Sequence, residues 1–381
     1  MRIAITHPFC WPYVRRGAER FISELGCFLA GRGHIVTTIS SKPGRSDIEE
    51  TPNGMRILHG QWWTAWTPWA RLQPAYRFLL PCYASVRRLR PDIVQSLYYV
   101  DAWAAQRGKR RHKAVYYVAG PPVPSLQRRV PPDRRLLRKA IEDADALLVP
   151  SEYVRGVVRE HYNRNSRLLP VPIRTADFQA PKRPGSRPVI LAVAAFDERR
   201  KGLRVIVRAF ARLHQKYTEA LLRISGQVSE RLRRDVLKTV PPELSGSIEF
   251  LGLGCIQDMP RLYSDATVTV VPATWEAYSL VVLESWAAGT PVVAACHAAL
   301  PEIVTDTATG VLVDPGTDPM EPTNDEGLAW GMEQALKLAE CKQTEQLCRL
   351  RAANYSWDRL GASFEQFYLD LLGGTTNHEQ W

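Results

Sequence analysis

Residues 267–291 read TVTVVPATWEAYSLVVLESWAAGTP, and the rest of the chain is organised around them. Thr267 to Val271 is a β-branched, apolar run with the character of a buried strand. Pro272 breaks it, and an apolar segment from Ser279 to Gly289 predicts a helix closed by a glycine. The order is strand, loop, helix. Ser279 stands at the N-cap position, so the backbone N–H groups of Leu280, Val281 and Val282 lack intrahelical partners and form a positive pole suited to a phosphate. Helical side chains lean toward their own N-terminus, which carries the Glu284 carboxylate, about one turn in, toward whatever that pole holds. Glu276 lies on the loop itself. Two acids eight positions apart beside such a helix start suit a sugar nucleotide: diphosphate on the amides, ribose diol on Glu284, donor sugar near Glu276. The plainer reading of the spacing alone is two solvated acids on an ordinary βα unit.

The surroundings decide between the two. WEAYSLVVLESWAAGTPVVA, residues 275–294, resembles the signature of retaining glycosyltransferases of family 4, whose members commonly read E-G-[FY]-G-L-x-x-x-E-A-x-A-x-G-x-P-V. Both acids match, as do Tyr278, Leu280, Ala287, Gly289, Pro291 and Val292; Ala277 and Ser279 replace glycines and Ser285 replaces alanine. The resemblance implies an α/β chain of the GT-B fold: two Rossmann-like, doubly wound domains facing across a cleft, with a C-terminal helix returning to the N-terminal domain.

A length of 381 residues accommodates two domains, and 45% apolar with 23% charged residues is the balance of an ordinary globular chain. The seven cysteines are odd in number and contain no C-x-x-C, so neither a disulfide framework nor a zinc site is indicated and a reducing cytoplasm is expected. No stretch is apolar for the length of a bilayer crossing; Phe78 to Val86 is interrupted by Pro81. The opening MRIAITHPFCWPYVRR has no apolar targeting core and reads as a first strand. Charge is uneven. Residues 1–180 hold 29 Lys and Arg against 14 Asp and Glu, whereas the remainder holds 21 against 25, so the basic excess belongs to the first half. That suggests an anionic surface or acceptor there, with solubility as the plain alternative.

Arg2 to Thr6, a loop, a helix over Ala18 to Ala30 and a strand over His34 to Ser40 make a βαβ start. Arg32-Gly33-His34-Ile35-Val36 resembles the family pattern, and Arg16-Gly17-Ala18-Glu19 keeps one glycine of G-G-x-E, leaving Gly17 as a candidate phosphate contact. Between Gly60 and Arg90, Trp62, Trp63, Trp66, Trp69, Tyr76, Phe78 and Tyr83 interleave with Arg71, Arg77, Arg87, Arg88 and Arg90. Tryptophan beside arginine suits an anionic membrane interface; packing in the N-terminal core is the alternative, and no RNA-binding signature accompanies it, so no nucleic acid is expected. Gln127 to Lys139 carries six basic residues and one acid, a solvated face in the simplest reading. Ala144 to Pro150 followed by Ser151-Glu152 resembles a family strand and helix start, and Leu168 to Phe178 reads as the last N-domain strand and the start of the crossing. Residues 181–188 have the composition of a linker, and the last residues, 373–381, that of a loose tail. The expected division is 1–180 for acceptor binding, 189–355 for the nucleotide-sugar donor, and 356–372 for the returning helix.

Two departures from the family matter. Where the resemblance leads one to expect a histidine at the donor-sugar end of a strand, the chain has Ala119, and where it expects Gly-Arg before Lys201-Gly202, it has Ala194-Ala195. Arg199 or Arg200 is placed to substitute. The implied reaction is transfer of a sugar from a nucleoside diphosphate sugar to an acceptor hydroxyl, with Lys201 and Glu276 catalytic and Glu284, Ser279, Leu280, Val281, Gly17 and Arg200 holding the donor. A preorganised positive site stabilises the departing diphosphate, so neither a metal nor another cofactor is expected. The missing histidine and arginine also raise a catalytically impaired GT-B protein that binds a nucleotide sugar as partner of an active enzyme, and an epimerase of the same fold.

Overall fold

The computed structural model describes residues 1–42, 47–50, 56–61, 74–120, 122–123, 131–182, 187–254 and 256–374. Trp62, Trp63, Trp66, Trp69, Arg71, Arg128, Arg129, residues 183–186 of the 181–188 stretch and residues 375–381 lie outside them. Two compact units result, Met1–Pro172 with Leu360–Trp381, and Ile173–Arg359.

The first unit contains β1 (Arg2–Thr6), α1 (Gly17–Gly31), β2 (Ile35–Lys42), β3 (Asp47–Glu50), β4 (Arg56–Gln61), α2 (Leu79–Leu89), β5 (Ile93–Ser96), α3 (Tyr99–Arg107), β6 (Lys113–Tyr117), α4 (Pro131–Glu142), β7 (Ala146–Val149), α5 (Glu152–Tyr162) and β8 (Arg167–Leu168). Its sheet runs β3-β4-β2-β1-β5-β6-β7-β8 and is parallel except for the β3–β4 pair. Leu168 to Phe178, expected to hold the last strand and the start of the crossing, divides at its prolines. Only Arg167–Leu168 pairs with β7, because Pro170 and Pro172 lack the N–H a ladder needs. Beyond them Ile173 bonds to the Tyr355 carbonyl at 2.8 Å, and Phe178 is buried against Tyr263 in the second unit.

The second unit contains β9 (Val189–Val193), α6 (Leu203–His214), β10 (Leu221–Ser225), α7 (Glu230–Leu237), β11 (Ile248–Gly252), α8 (Met259–Asp265), β12 (Val268–Val271), α9 (Leu280–Ala287), β13 (Val292–Ala295), α10 (Leu300–Ile303), β14 (Gly310–Val313), α11 (Asp325–Glu340) and α12 (Lys342–Ala353). Its all-parallel sheet runs β11-β10-β9-β12-β13-β14. Period-two alternation sends Ile190, Ala192, Val268, Val270 and Val293 into a core with α6 and α11, and Leu191, Val271, Val292 and Ala294 into a core with α8 and α9. Both faces are covered, as an all-parallel sheet requires. Trp286 of α9 is fully buried and donates its indole N–H to the Thr309 carbonyl at 3.0 Å.

The final helix, α13 (Trp357–Gly373), completes the first core. Phe364 packs against both Phe21 and Tyr117, Tyr368 donates to Gln95, and Glu365 accepts from Arg32 at 2.9 Å and pairs with His34 at the same distance.

Candidate functional site

In both sheets the strand order reverses once among the parallel strands, between β1 and β5 and between β9 and β12. The loops leaving the carboxyl ends of two such strands part to opposite faces and open a crevice there, the usual ligand position of a doubly wound sheet. In the second unit those loops are 194–202 after β9 and 272–279 after β12, which carry the cations and the loop acid singled out above.

The first loop ends in a tight turn, Arg199–Lys201, closed by the Gly202 N–H on the Arg199 carbonyl at 3.0 Å. Gly202 has φ +74°, and a Cβ there would lie 2.4 Å from Pro322 Cγ and 3.2 Å from Pro272 Cγ, so glycine is needed for both conformation and space. The two loops are fastened together. The Thr274 N–H donates to the Arg200 carbonyl at 3.1 Å, and the Arg200 guanidinium donates to the Trp275 carbonyl at 2.5 Å. The Lys201 ammonium pairs with Glu276 Oε1, and Arg200 stands 3.9 Å from Glu276 Oε2 and 2.5 Å from Glu198. Lys201 and Glu276 side chains are only 17% and 13% exposed, so this ion pair is largely shielded from water.

Arg199 takes the other direction. It pairs with Glu321 at 2.7 Å, where Arg204 also approaches to 3.6 Å. These three residues, with Phe196, Leu203 and Arg231, line a cavity of about 750 Å³ that includes neither Glu276 nor Lys201. The cavity therefore does not mark the crevice; the switch point and the convergence of charge do. Of the two arginines that sequence left as substitutes for the one absent at Ala195, the structure brings Arg200 to Glu276 and gives Arg199 to Glu321.

Ser279 occupies the N-cap of α9 in extended conformation, but its side chain makes no capping bond. Among the described residues, the N–H groups of Leu280, Val281 and Val282 have no acceptor, which keeps the helix start available to an anion. Glu284 is 7% exposed, and its Oε2 accepts from the Tyr263 hydroxyl at 2.7 Å. The wall beside Glu276 was not anticipated. Trp275 meets His297 edge-on at 5.1 Å and donates to the Pro319 carbonyl; Ala299 N–H donates to the Glu276 carbonyl at 3.2 Å. Between them Ala298 holds φ +52°, a left-handed conformation that side chains other than glycine rarely adopt. Its one trace in the sequence is Ala298-Ala299, standing where the family that the chain resembles usually has a pair of glycines.

Gly17 opens α1 in the first unit, with Arg16 at its N-cap. Glu19, in the same first turn, is 2% exposed, and burial pushes its carboxyl up to about 7 against a bond to its own backbone and the Arg16 charge. His7, at the end of β1, is held down to about 4 by burial. Ala119 follows β6 and bonds only backbone to backbone, to the Tyr117 carbonyl.

Among the described residues no group of three His, Cys, Asp or Glu side chains has metal-binding spacing. The chain's Asp-x-Asp triplet, Asp143-Ala144-Asp145, is engaged structurally: Asp145 takes Lys109 at 2.6 Å and the Ala114 N–H at 2.7 Å. No described helix is long and apolar enough to cross a membrane.

Residues 187–336 match the family described as Glycosyl transferases group 1, and residues 15–176 match Glycosyltransferase Family 4. A D-inositol 3-phosphate glycosyltransferase of Corynebacterium diphtheriae is 25% identical across 93% of this chain and 90% of its own. The sucrose-phosphate synthase of Thermosynechococcus elongatus superposes with a TM-score of 0.84 at 22% identity, covering 98% of this chain and 99% of that one. HepE of Anabaena, solved with UDP and glucose, superposes with a TM-score of 0.70 at 14% identity, covering 96% and 99%. The fold is GT-B.

Proposed function

The chain belongs to the group 1 glycosyltransferases of family 4, and on that premise we propose that it moves a sugar from a nucleoside diphosphate sugar to an acceptor hydroxyl with retention of anomeric configuration. The observation that carries the donor reading is the shielded Lys201–Glu276 pair, set between two loops at the β9/β12 reversal and beside the unpartnered amides of α9. When the bond from the anomeric carbon to the diphosphate breaks, negative charge grows on the leaving oxygen. Lys201, Arg200 and the Leu280 and Val281 N–H groups, with Ser279 setting the helix start, supply fixed positive potential for it. Glu276 binds donor-sugar hydroxyls and steadies positive charge at the anomeric carbon, and Glu284 holds the ribose. The acceptor oxygen bonds to the anomeric carbon on the face the diphosphate leaves, and its proton departs with the diphosphate.

In this reading the first unit receives the acceptor at an anionic membrane surface. α3 packs against both α2 and α4. Their outward arginines are stiffened by stacking, Arg87 on Tyr83 at 5.5 Å, Arg107 on Trp103 at 5.4 Å and Arg138 on Tyr162 at 5.6 Å. Arg88, Arg90, Arg110, Arg111, Arg134 and Arg135 are exposed and make no ion pair with a described residue. A lipid-linked acceptor at the inner face of a membrane suits such a surface.

The test is turnover. Incubation with UDP-, GDP- and ADP-sugars and a membrane extract should release nucleoside diphosphate and yield a glycoside whose anomeric coupling by NMR equals that of the donor. An inverted product overturns the retaining assignment. Nucleotide bound without release from any donor favours a binding partner of an active enzyme.

A further inference from the structure

We infer that Tyr263 is the positioning residue for Glu284, fixing the orientation in which that carboxylate meets the ribose; this rests on the donor reading above. Tyr263 belongs to α8, is fully buried, and has a single polar reach from its ring, the hydroxyl that donates to Glu284 Oε2 at 2.7 Å. That length is typical of an O–H bond to a carboxylate. A glutamate in a helix has three side-chain torsions to settle, and a carboxylate is planar. Once Oε2 is tied to an immobile phenol, the direction of Oε1 is set as well.

The phenol is immobile because it is fixed from both ends. Its ring stands edge-on to Phe178 at 5.8 Å. Its own backbone carbonyl accepts from Thr290 Oγ1 at 2.7 Å, and Lys182 Nζ donates to that same Oγ1 at 2.6 Å and to the Ala266 carbonyl at 2.8 Å. Thr290 follows the end of α9, so α8 is joined to α9 twice: near its finish through Thr290, and one turn from its start through Glu284. Burial of Lys182 lowers its ammonium to about 8, the cost of placing a cation among these acceptors. Apolar contact alone would hold α8 against α9; a buried phenol aimed at the one acid of α9 adds direction to that contact.

Calorimetry on the full chain with UDP, GDP, ADP and CDP, followed by the 2′-deoxy form of the tightest binder, tests this. The intact protein should prefer the ribose form. Glu284→Ala should abolish the preference, and Tyr263→Phe should reduce it by between about 2-fold and 12-fold, with a fall in melting temperature for the acceptor left unpaired. A merely structural tyrosine would alter melting and leave the ribose preference alone. If Glu284→Ala abolishes the preference while Tyr263→Phe preserves it, the positioning role is wrong and the donor reading stands. If Glu284→Ala changes nothing, or the intact protein shows no preference or binds none of the four, the ribose reading itself falls. Should Tyr263→Phe fail to fold, Thr290→Val keeps the phenol and frees its carbonyl; a partial loss of preference is expected, and an unchanged preference overturns the inference.

Discussion

Lys201 closes on Glu276 across the point where the strand order of the second sheet reverses, each residue coming from a different loop. The lysine therefore has a partner before any donor arrives, and a diphosphate must draw it away. Glu276→Gln should bind a bare nucleoside diphosphate about fivefold more tightly, because a neutral amide competes less for the ammonium, while turnover falls by about 100-fold or more. Lys201→Ala should lower turnover more than affinity. Calorimetry paired with product release checks both, and weaker binding by Glu276→Gln would show that the pair does not stand in the diphosphate position.

Arg199 and Arg200 are neighbours with opposite assignments. Arg200→Ala should weaken nucleoside diphosphate binding by about tenfold, the scale of one charge-assisted hydrogen bond. Arg199→Ala, which frees Glu321 instead, should stay within about twofold of the intact protein. Equal losses from both would refute the division of labour.

Gly202→Ala should cost about 2–4 kcal/mol in urea unfolding of the second unit, combining a left-handed backbone with overlap on Pro322 Cγ at 2.4 Å. Gly31→Ala is the control. Its Cβ would meet nothing within 4 Å and its φ is ordinary, so stability should hold or rise slightly.

Glu19 gives a pH signature. Its carboxyl rises in the folded protein from 4.5 to about 7, so between those values the folded state holds a proton that the unfolded state has lost. The folded state is thus penalised fully above pH 7 and regains stability as pH falls toward 4.5. Glu19→Gln should raise the melting temperature at pH 8, by up to ~3 kcal/mol in stability, with the gain fading to nothing near pH 4.5. A gain independent of pH would mean the glutamate is ionised in the fold.

The arginine face of α2, α3 and α4 is tested on vesicles. Co-sedimentation with phosphatidylglycerol-containing liposomes should be lost when Arg88, Arg110, Arg134 and Arg135 are changed together to glutamate, and should fall with added salt. Unchanged pelleting would remove the membrane from the proposal.

Short apolar runs with glycine or proline punctuation make strands of the second sheet readable: VILAVA (189–194), LLRISG (221–226) and VVAA (292–295) contain β9, β10 and β13. The α9 region was readable for the same reason, since Pro272 and Gly289 bracket it. Where the strand in Leu168 to Phe178 gives way to the crossing was not legible in an apolar run; Pro170 and Pro172, which deny a ladder its partners, mark the place. Pairing was the part hidden from one-dimensional reading. Nothing in the spacing tells Arg199 from Arg200, since a 3₁₀ turn sends consecutive side chains to different sides. Tyr263 lies 21 positions from Glu284 and meets it only after α8 and α9 are laid side by side on one face of the sheet.

α13 carries a consequence for how the protein comes into being. Phe364, Phe367 and Tyr368 fill the first core, yet they are synthesised only after all of Ile173–Arg359. At a ribosome's pace of about 5–20 residues per second, the opening half waits roughly 10–40 s with its interior unfinished. Over that interval Phe21 and Tyr117 lack the Phe364 ring that packs on both. A nonsense mutation that removes only the last two dozen residues would strike the beginning of the chain.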